Sequence, residues 1–234
     1  MVTWNCCMGT DRKVPSMLEQ LRPDIAVVPE SSAKPQVAES SLLGDGVPHA
    51  WTGSLDHKGL GIFAPSARRM TVHSLTSTPH AIGVEVELDD RTTRVLGVWT
   101  QPARTGTWAT PYMDAFASIL DEYESFIDDS TIVAGDINCS AQTSPEAFPR
   151  LLDQARKRYG LRSAYHWHNG EEPGEESAMT LWWRNKEDAG FHCDVVLVPE
   201  TSDVRAATVG VHAEWGASTA TARSDHAPVV VDLA

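Results

Sequence analysis

Residues 131–138 read TIVAGDIN, and the reading of this stretch decides the fold class. Its first half, Thr131 to Ala134, is apolar on both faces, so a strand here cannot lie half in water and its sheet must be covered on both sides. The run then closes on Asp136 and Asn138. Two residues apart on an extended backbone, these side chains point the same way. That shared side must be polar or filled.

Similar short runs recur outward in both directions: AVVPE (26–30), GLGIFA (59–64), IGVEVEL (82–88), RVLGVWT (94–100), CDVVLVP (193–199) and APVVVDL (227–233). Each has the β-branched, apolar character of a strand. Helical patterns are fewer. Met113, Phe116, Ile119, Leu120, Tyr123 and Ile127 make one apolar stripe, which predicts a helix from Tyr112 to Ile127 with Pro111 at its entrance. Two more helices are expected over Val14 to Leu21 and Pro145 to Tyr159. The polar stretch HNGEEPGEESAMT (168–180) reads as a long surface loop, because strand signals resume after it. No repeat, linker or low-complexity block divides the chain, so an α/β architecture forming a single domain over residues 1–234 is the expectation.

Composition narrows the function classes. Hydrophobic residues make up 41%, ordinary for a water-soluble protein, and no apolar run is long enough to cross a bilayer. The start MVTWNCCMGTDRK lacks a basic segment followed by an apolar one, so no signal peptide is visible and a cytoplasmic location is expected. A formal net charge of -13 argues against tight, sequence-independent binding to long duplex DNA. The four cysteines, Cys6, Cys7, Cys139 and Cys193, have no CxxC spacing and are too few for a disulfide scaffold, so reduced thiols and no structural zinc are expected.

Several strands end in groups that can do chemistry. Asn5 follows the first strand, Glu30 ends AVVPE, Asp136 and Asn138 end TIVAGDIN, Asp194 opens CDVVLVP, and Asp225 and His226 precede the last strand. Taken singly, each has a plain reading as a turn or cap residue. Together they place an oxygen-rich set, Asn5, Glu30, Asp136, Asn138 and Asp225, at strand ends, where rigid scaffolds carry functional side chains. Such donors suit a hard ion, Mg²⁺ or Mn²⁺, and not zinc; an ion held by few carboxylates keeps room for phosphate oxygens. Asp beside His is also a means of holding and tuning an imidazole for acid-base chemistry.

TWN, LRPDIAVVPE, KGLGIF, IVAGDIN, FHCDVVLVP and SDHAPVVVDL occur in this order over nearly the whole chain, and the ordered set resembles the endonuclease/exonuclease/phosphatase superfamily, the DNase I-like fold. The resemblance implies a four-layer α/β/β/α sandwich with two central mixed β-sheets and a site at one end of the sheets. It implies that Glu30 is the principal metal ligand, with Asn5 and Asp225 close to the ion. It further implies that Asp136 positions or deprotonates the attacking water, that Asn138 holds a phosphate oxygen, and that His226 contacts the phosphate while Asp194 orients its ring. Two departures stand out. Where the superfamily commonly has His or Tyr after the strand matching RVLGVWTQP, this chain has Trp99, Thr100 and Gln101, leaving leaving-group protonation to water at the ion or to a histidine elsewhere. Val195 stands where an aromatic residue often follows the Asp.

Four further residues are candidate substrate contacts: His166, His192, Thr100 and Trp167. Hydrogen-bonded structural roles compete for the two histidines. Strand alternation puts Cys139 and Cys193 beneath the site as small apolar residues. Core packing is the plain role for most of Trp4, Trp51, Trp99, Trp108, Trp167, Trp182, Trp183 and Trp215, although Trp167, Trp182 and Trp183 border polar loops and could stack on a base.

The expected activity is therefore a Mg²⁺- or Mn²⁺-dependent phosphoesterase acting on a short or single-stranded nucleic acid or a small phosphorylated molecule, with no membrane and no protein partner evident. A non-catalytic binding module that keeps the fold is the alternative.

Overall fold

A computed structural model describes residues 1–33, 46–73, 78–101, 110–217 and 223–234. The chain runs β1 (Val2–Thr3), α1 (Thr10–Leu21), β2 (Ala26–Ser31), β3 (His49–Leu55), β4 (Lys58–Phe63), β5 (Arg69–His73), β6 (Ala81–Glu87), β7 (Thr92–Trp99) and α2 (Thr110–Glu122). It continues through β8 (Thr131–Asp136), α3 (Ala147–Tyr159), β9 (Leu161–Ser163), α4 (Ala164–Asn169), β10 (Leu181–Trp182), β11 (Gly190–Phe191), β12 (Asp194–Pro199), β13 (Val204–Val209), α5 (His212–Trp215) and β14 (Val229–Leu233). Two six-stranded sheets result, ordered β13-β14-β1-β2-β4-β3 and β5-β6-β7-β8-β12-β9. Both are mixed, because β1 and β2 run parallel in the first and β7 and β8 in the second.

The two-faced apolar strands explain the layering. In β2, Val27 enters the core shared with Ile82, Val95, Ile132 and Val196 of the other sheet, while Ala26 and Val28 pack with Val14, Met17 and Leu18 of α1. In β12, Val196 and Val198 face the same central core, and Val195 and Leu197 face Phe116, Leu120 and Phe148 of the outer helices. Neither sheet has an inner face to spare for water, so the order is helix, sheet, sheet, helix.

Element limits differ from the sequence reading at helix ends. α1 starts at Thr10 and not Val14, which puts the buried Pro15 at its sixth position, beyond the first turn, where the helix forgoes one intrahelical hydrogen bond. Met113, Phe116, Ile119 and Leu120 of the α2 stripe are buried as expected, but the helix ends at Glu122, so Tyr123 packs from the turn beyond it and Ile127 is only partly buried, with Phe126 in the core instead. α3 starts at Ala147, two residues later than expected, and stops at Gly160, whose φ of 65° gives the left-handed cap. The turn of helix α4 within SAYHWHNG had no periodic signal, being only six residues long.

Gly135 shows why TIVAGDIN needs its glycine. Its φ is 148°, and a Cβ there would lie 1.8 Å from the Val98 carbonyl oxygen, so only glycine lets β8 close on β7 just before Asp136.

Candidate active site

Sheet register brings the first two acids together. Asp136 ends β8, Asp194 begins β12, and the two are direct antiparallel partners on neighbouring strands. Like charges in that relation repel. Both are buried, at 1% and 0% exposure. Beyond Asp136 the chain turns through Asn138, at φ 50°, whose backbone N–H donates to Asp136 Oδ1 at 2.8 Å and whose Nδ2 donates to Asp136 Oδ2 at 3.1 Å. The same-side reading of Asp136 and Asn138 thus survives the end of the strand, by a turn instead of a pleat.

His226 arrives from the other sheet. Its backbone is pinned by Trp4 Nε1 donating to its carbonyl at 3.0 Å and by its own N–H donating to Ser224 Oγ at 3.1 Å. Ser224 Oγ in turn donates to the Asn5 carbonyl at 2.8 Å. With the backbone held, the ring Nδ1 lies 2.8 Å from Asp194 Oδ2. SDH is therefore a tie between the two sheets, not a simple turn.

Glu30 sits at an irregularity where β2 pairing with β4 shifts register between Pro29 and Ser31, and its φ of 58° is left-handed. A non-glycine residue in that region is strained, and here the strain re-aims the side chain out of the ladder. Asn5 joins Glu30 to the acids: its Nδ2 donates to Asp136 Oδ2 at 2.9 Å and approaches Glu30 Oε1 at 3.4 Å, while its Oδ1 accepts the Cys7 N–H. In this orientation Asn5 braces two carboxylates as a donor. Asp225 flanks the cluster: burial first, then the Asp225 and Glu30 carboxylates, push the Cys7 thiol up to about 11.

The electrostatics follow from burial and proximity. Burial, then the facing Asp194, raise the Asp136 carboxyl towards neutrality, to about 7, against the pull of His226 and the Asn5 and Asn138 hydrogen bonds. Burial disfavours a charged His226 ring, but the charge and hydrogen bond of Asp194, helped by Asp136 and Asp225, win and raise it to about 10. The arrangement can hold an imidazolium beside a carboxylate able to accept a proton near neutral pH.

The Glu30 carboxylate suits a hard divalent ion: Lys58 Nζ stands 3.1 Å from Glu30 Oε2, so a cation already sits where the carboxylate is aimed, while Asn5 turns its amide nitrogen and not its oxygen towards Glu30. Glu30 and Asp225 would hold the ion; Asn5 fixes their surroundings.

The other candidates are placed differently. Thr100 is fully buried and its hydroxyl donates to the Ile137 carbonyl, while its own carbonyl accepts from Asn138 Nδ2. It shapes the turn and offers nothing to a substrate. His166 is spent on Ser163 Oγ and on Glu176 Oε1 at 3.1 Å. His192 bonds the Ala178 carbonyl through Nδ1 at 2.8 Å and packs against Tyr165 in a tilted contact and against His166 edge to face. Both histidines tie down the 170–178 loop. Trp167 is exposed and lies over the Arg162 guanidinium at 3.9 Å; Arg162 pairs with Val198, four residues along β12 from Asp194. Trp167 is therefore set back from the acids. Of the Trp182-Trp183 pair, Trp182 is core and Trp183 is 48% exposed; Trp108 lies outside the described residues.

Two features escaped the sequence reading. A cavity of about 340 Å³ beside Asn138 is lined by Tyr112, Leu181, Trp183 and Phe191, residues separated by up to 79 positions and assembled only by the fold. Cys139 packs in the core as expected, but Cys193 precedes β12 in irregular chain, so strand alternation does not apply and its Sγ lies 3.8 Å from Asp194 Oδ2. All four cysteines are free thiols.

No family model matches the chain, and no curated protein sequence matches it. Three solved structures are similar over almost their whole length. The 3′ phosphatase NExo from Neisseria, bound to product DNA hairpin, is 18% identical with a TM-score of 0.69, covering 100% of this chain and 98% of that one. An AP endonuclease from Archaeoglobus fulgidus is 14% identical with a TM-score of 0.71, covering 99% and 98%. D. rerio TDP2, complexed with single-strand DNA product, is 14% identical with a TM-score of 0.69, covering 100% and 97%. With its two mixed sheets between helical layers, the chain has the DNase I-like fold.

Proposed function

We propose that this protein is a divalent-metal-dependent phosphoesterase whose substrate is a short or single-stranded nucleic acid or a small phosphorylated molecule. The observation that carries the reading is the contact of a charged His226 with Asp194, directly across the sheet from a partly protonatable Asp136 that the Asn5 amide joins to Glu30. A binding module has no physical need for buried, mutually repelling carboxylates, which cost stability. Proteins of the same fold with DNA product bound, NExo and TDP2, point the same way.

In this reading Mg²⁺ or Mn²⁺ at Glu30 supplies charge neutralisation to the phosphate. His226, whose Nδ1 is occupied by Asp194, donates from Nε2 to a phosphate oxygen. Asp136 orients the attacking water and accepts its proton. Asn138, turned in beside it, offers its amide to another phosphate oxygen.

Charge limits the substrate. The basic run of α3 is already paired: Arg156 with Glu200, Lys157 with Asp153, and Arg158 with Asp121. Arg68 and Arg69 are likewise paired with Asp89 and Glu87. No polyanion track is left on these elements, while the cavity lined by Tyr112, Leu181, Trp183 and Phe191 offers apolar and aromatic contact to one group next to the phosphate.

With Mg²⁺ at about 0.15 M salt, turnover of short oligonucleotides or a small phosphoester exceeds nicking of duplex plasmid, and nicking falls steeply as salt rises. Efficient plasmid nicking at that salt would show the charge argument to be wrong. Absence of hydrolysis of every phosphoester with either metal would instead leave the non-catalytic module.

A further inference from the structure

We propose that Asp136, Cys193, Asp194 and His226 form a second metal site, selective for a thiophilic ion such as Zn²⁺ or Cd²⁺, whose occupation blocks the reacting centre. One ligand atom from each residue lies within 4.8 Å of all the others. The set differs in kind from the oxygens near Glu30: it offers a sulfur and an imidazole nitrogen, which borderline and soft ions prefer and Mg²⁺ does not.

A second observation points to a missing ligand. Asp194 Oδ1 is fully buried and has no hydrogen-bond partner, although its sister oxygen receives His226 Nδ1 and the Cys193 thiol. A buried carboxylate oxygen without a partner, on a residue paired across the ladder with another buried acid, is a place where a cation lowers the energy. Thr180 Oγ1 donates towards Cys193 Sγ at 3.9 Å, holding the thiol in place from behind. Access exists, because Cys193 also lines the cavity beside Asn138.

Tetrahedral bonds of about 2.0 Å to nitrogen or oxygen and about 2.3 Å to sulfur put ligand atoms about 3.5 Å apart. The farthest pair must therefore close by about 1 Å, a side-chain movement. Cys193 coordinates as thiolate and His226 as neutral imidazole; burial and the Asp194 and Asp136 carboxylates hold the thiol proton tightly, so the ion displaces both protons to water and binding strengthens as pH rises, with no change of oxidation state. The ion is exchangeable and inhibitory: it does not hold the fold together, in keeping with the absence of a closed Cys and His shell.

Binding stands independently of the phosphoesterase reading; inhibition rests on it. Cd²⁺ titrated into the reduced, metal-free protein gives a thiolate-to-metal charge-transfer absorption in the ultraviolet that saturates at about one ion per chain and survives excess Mg²⁺. It is lost in Cys193→Ala and retained in Cys7→Ala, the other thiol near carboxylates. Cadmium NMR of the Cys7→Ala protein reads one sulfur among nitrogen and oxygen ligands, so the test does not depend on Cys193→Ala folding. Loss of the absorption in Cys7→Ala, or a resonance characteristic of oxygen ligands alone, overturns the proposal. Where hydrolysis is measurable, Zn²⁺ suppresses it at saturating Mg²⁺, and Cys193→Ala raises the inhibitory concentration, relative to its own uninhibited rate, by at least the ~10- to 100-fold that follows loss of an outer metal partner. Unchanged inhibition in that variant also overturns the proposal. A protein that hydrolyses nothing yet binds Cd²⁺ in this way refutes the proposed function and not the site.

Discussion

His226→Ala lowers turnover on any cleavable phosphoester by about 10²- to 10³-fold, the cost of removing one preorganised donor from a developing charge, while Mg²⁺ or Mn²⁺ affinity stays near that of the unmutated protein. The ring reaches the acid pair from the segment just before β14, and its Nδ1 bond to Asp194 at 2.8 Å fixes which nitrogen is left for the substrate. Asp194→Asn keeps a side chain of the same shape but removes the charge that holds the ring protonated. It therefore slows the reaction and moves its pH profile. In the unmutated protein kcat/KM rises as Asp136 loses its proton, near 7, and falls as His226 loses its own, near 10. Metal binding favours the Asp136 carboxylate and moves the acid limb lower. Asp194→Asn lowers both limbs, because Asp194 raises both groups.

The same charges set stability against pH. His226 is raised in the folded state from 6.5, so its stabilisation is complete below 6.5 and is lost as pH rises through about 10. Asp136 is raised from 3.8, so burying it as a carboxylate costs stability progressively between there and about 7. Thermal melts of His226→Ala, alkaline against neutral, measure the first effect: the difference from the unmutated protein shrinks at high pH. A pH-independent difference and unchanged turnover together would remove His226 from the site.

Glu30→Gln weakens Mg²⁺ or Mn²⁺ binding by about 100-fold or more, beyond the ~10- to 100-fold effect of outer-shell partners, and hardly changes the melting temperature. An amide cannot supply the charge that a hard ion needs from its few protein ligands. The stability effect is small because the bond lost, Lys58 to Glu30, lies between side chains 34% and 18% exposed, and such pairs contribute about 0–1 kcal/mol. Lys58→Gln acts in the opposite direction: without an ammonium 3.1 Å from the carboxylate, the ion meets no competitor and binds more tightly. Calorimetry on the two variants checks both signs. Equal affinity for Glu30→Gln and the unmutated protein would place the ion elsewhere.

Much of this architecture was legible in the chain. Strands such as TIVAGDIN and CDVVLVP carry apolar residues on both faces, and a double-faced strand has only one stable setting, between two covered sides. The residues gathered at strand ends were legible too, because strand termini in a layered α/β protein converge on one rim. Helix limits were less so: α1 begins at Thr10, five residues before Pro15, although proline is tolerated best in a helix's first turn.

The histidines and tryptophans were not legible in the same way. His166 and His192 could be read from sequence either as substrate contacts or as structural histidines, and their rings are spent on Glu176, Ser163 and the Ala178 carbonyl. Trp182 and Trp183 are adjacent, but one is core and the other borders the cavity. Local pattern specifies which face of an element is apolar; it does not specify which distant group meets a given side chain.

From sequence alone came the α/β layering, the strand-end positions of Asn5, Glu30, Asp136, Asn138, Asp194, Asp225 and His226, and a net charge of -13 that disfavours long duplex DNA. Tertiary structure alone decided that Asp136 faces Asp194 across a ladder, that Lys58 sits on Glu30, and that Cys193 joins the acids instead of packing beneath them. The physical reason is that burial patterns follow from local periodicity, whereas pKa values and ligand sets depend on distances of a few ångströms between residues far apart in sequence, such as Glu30 and Lys58 or Asp136 and Asp194, which only strand register and sheet packing determine.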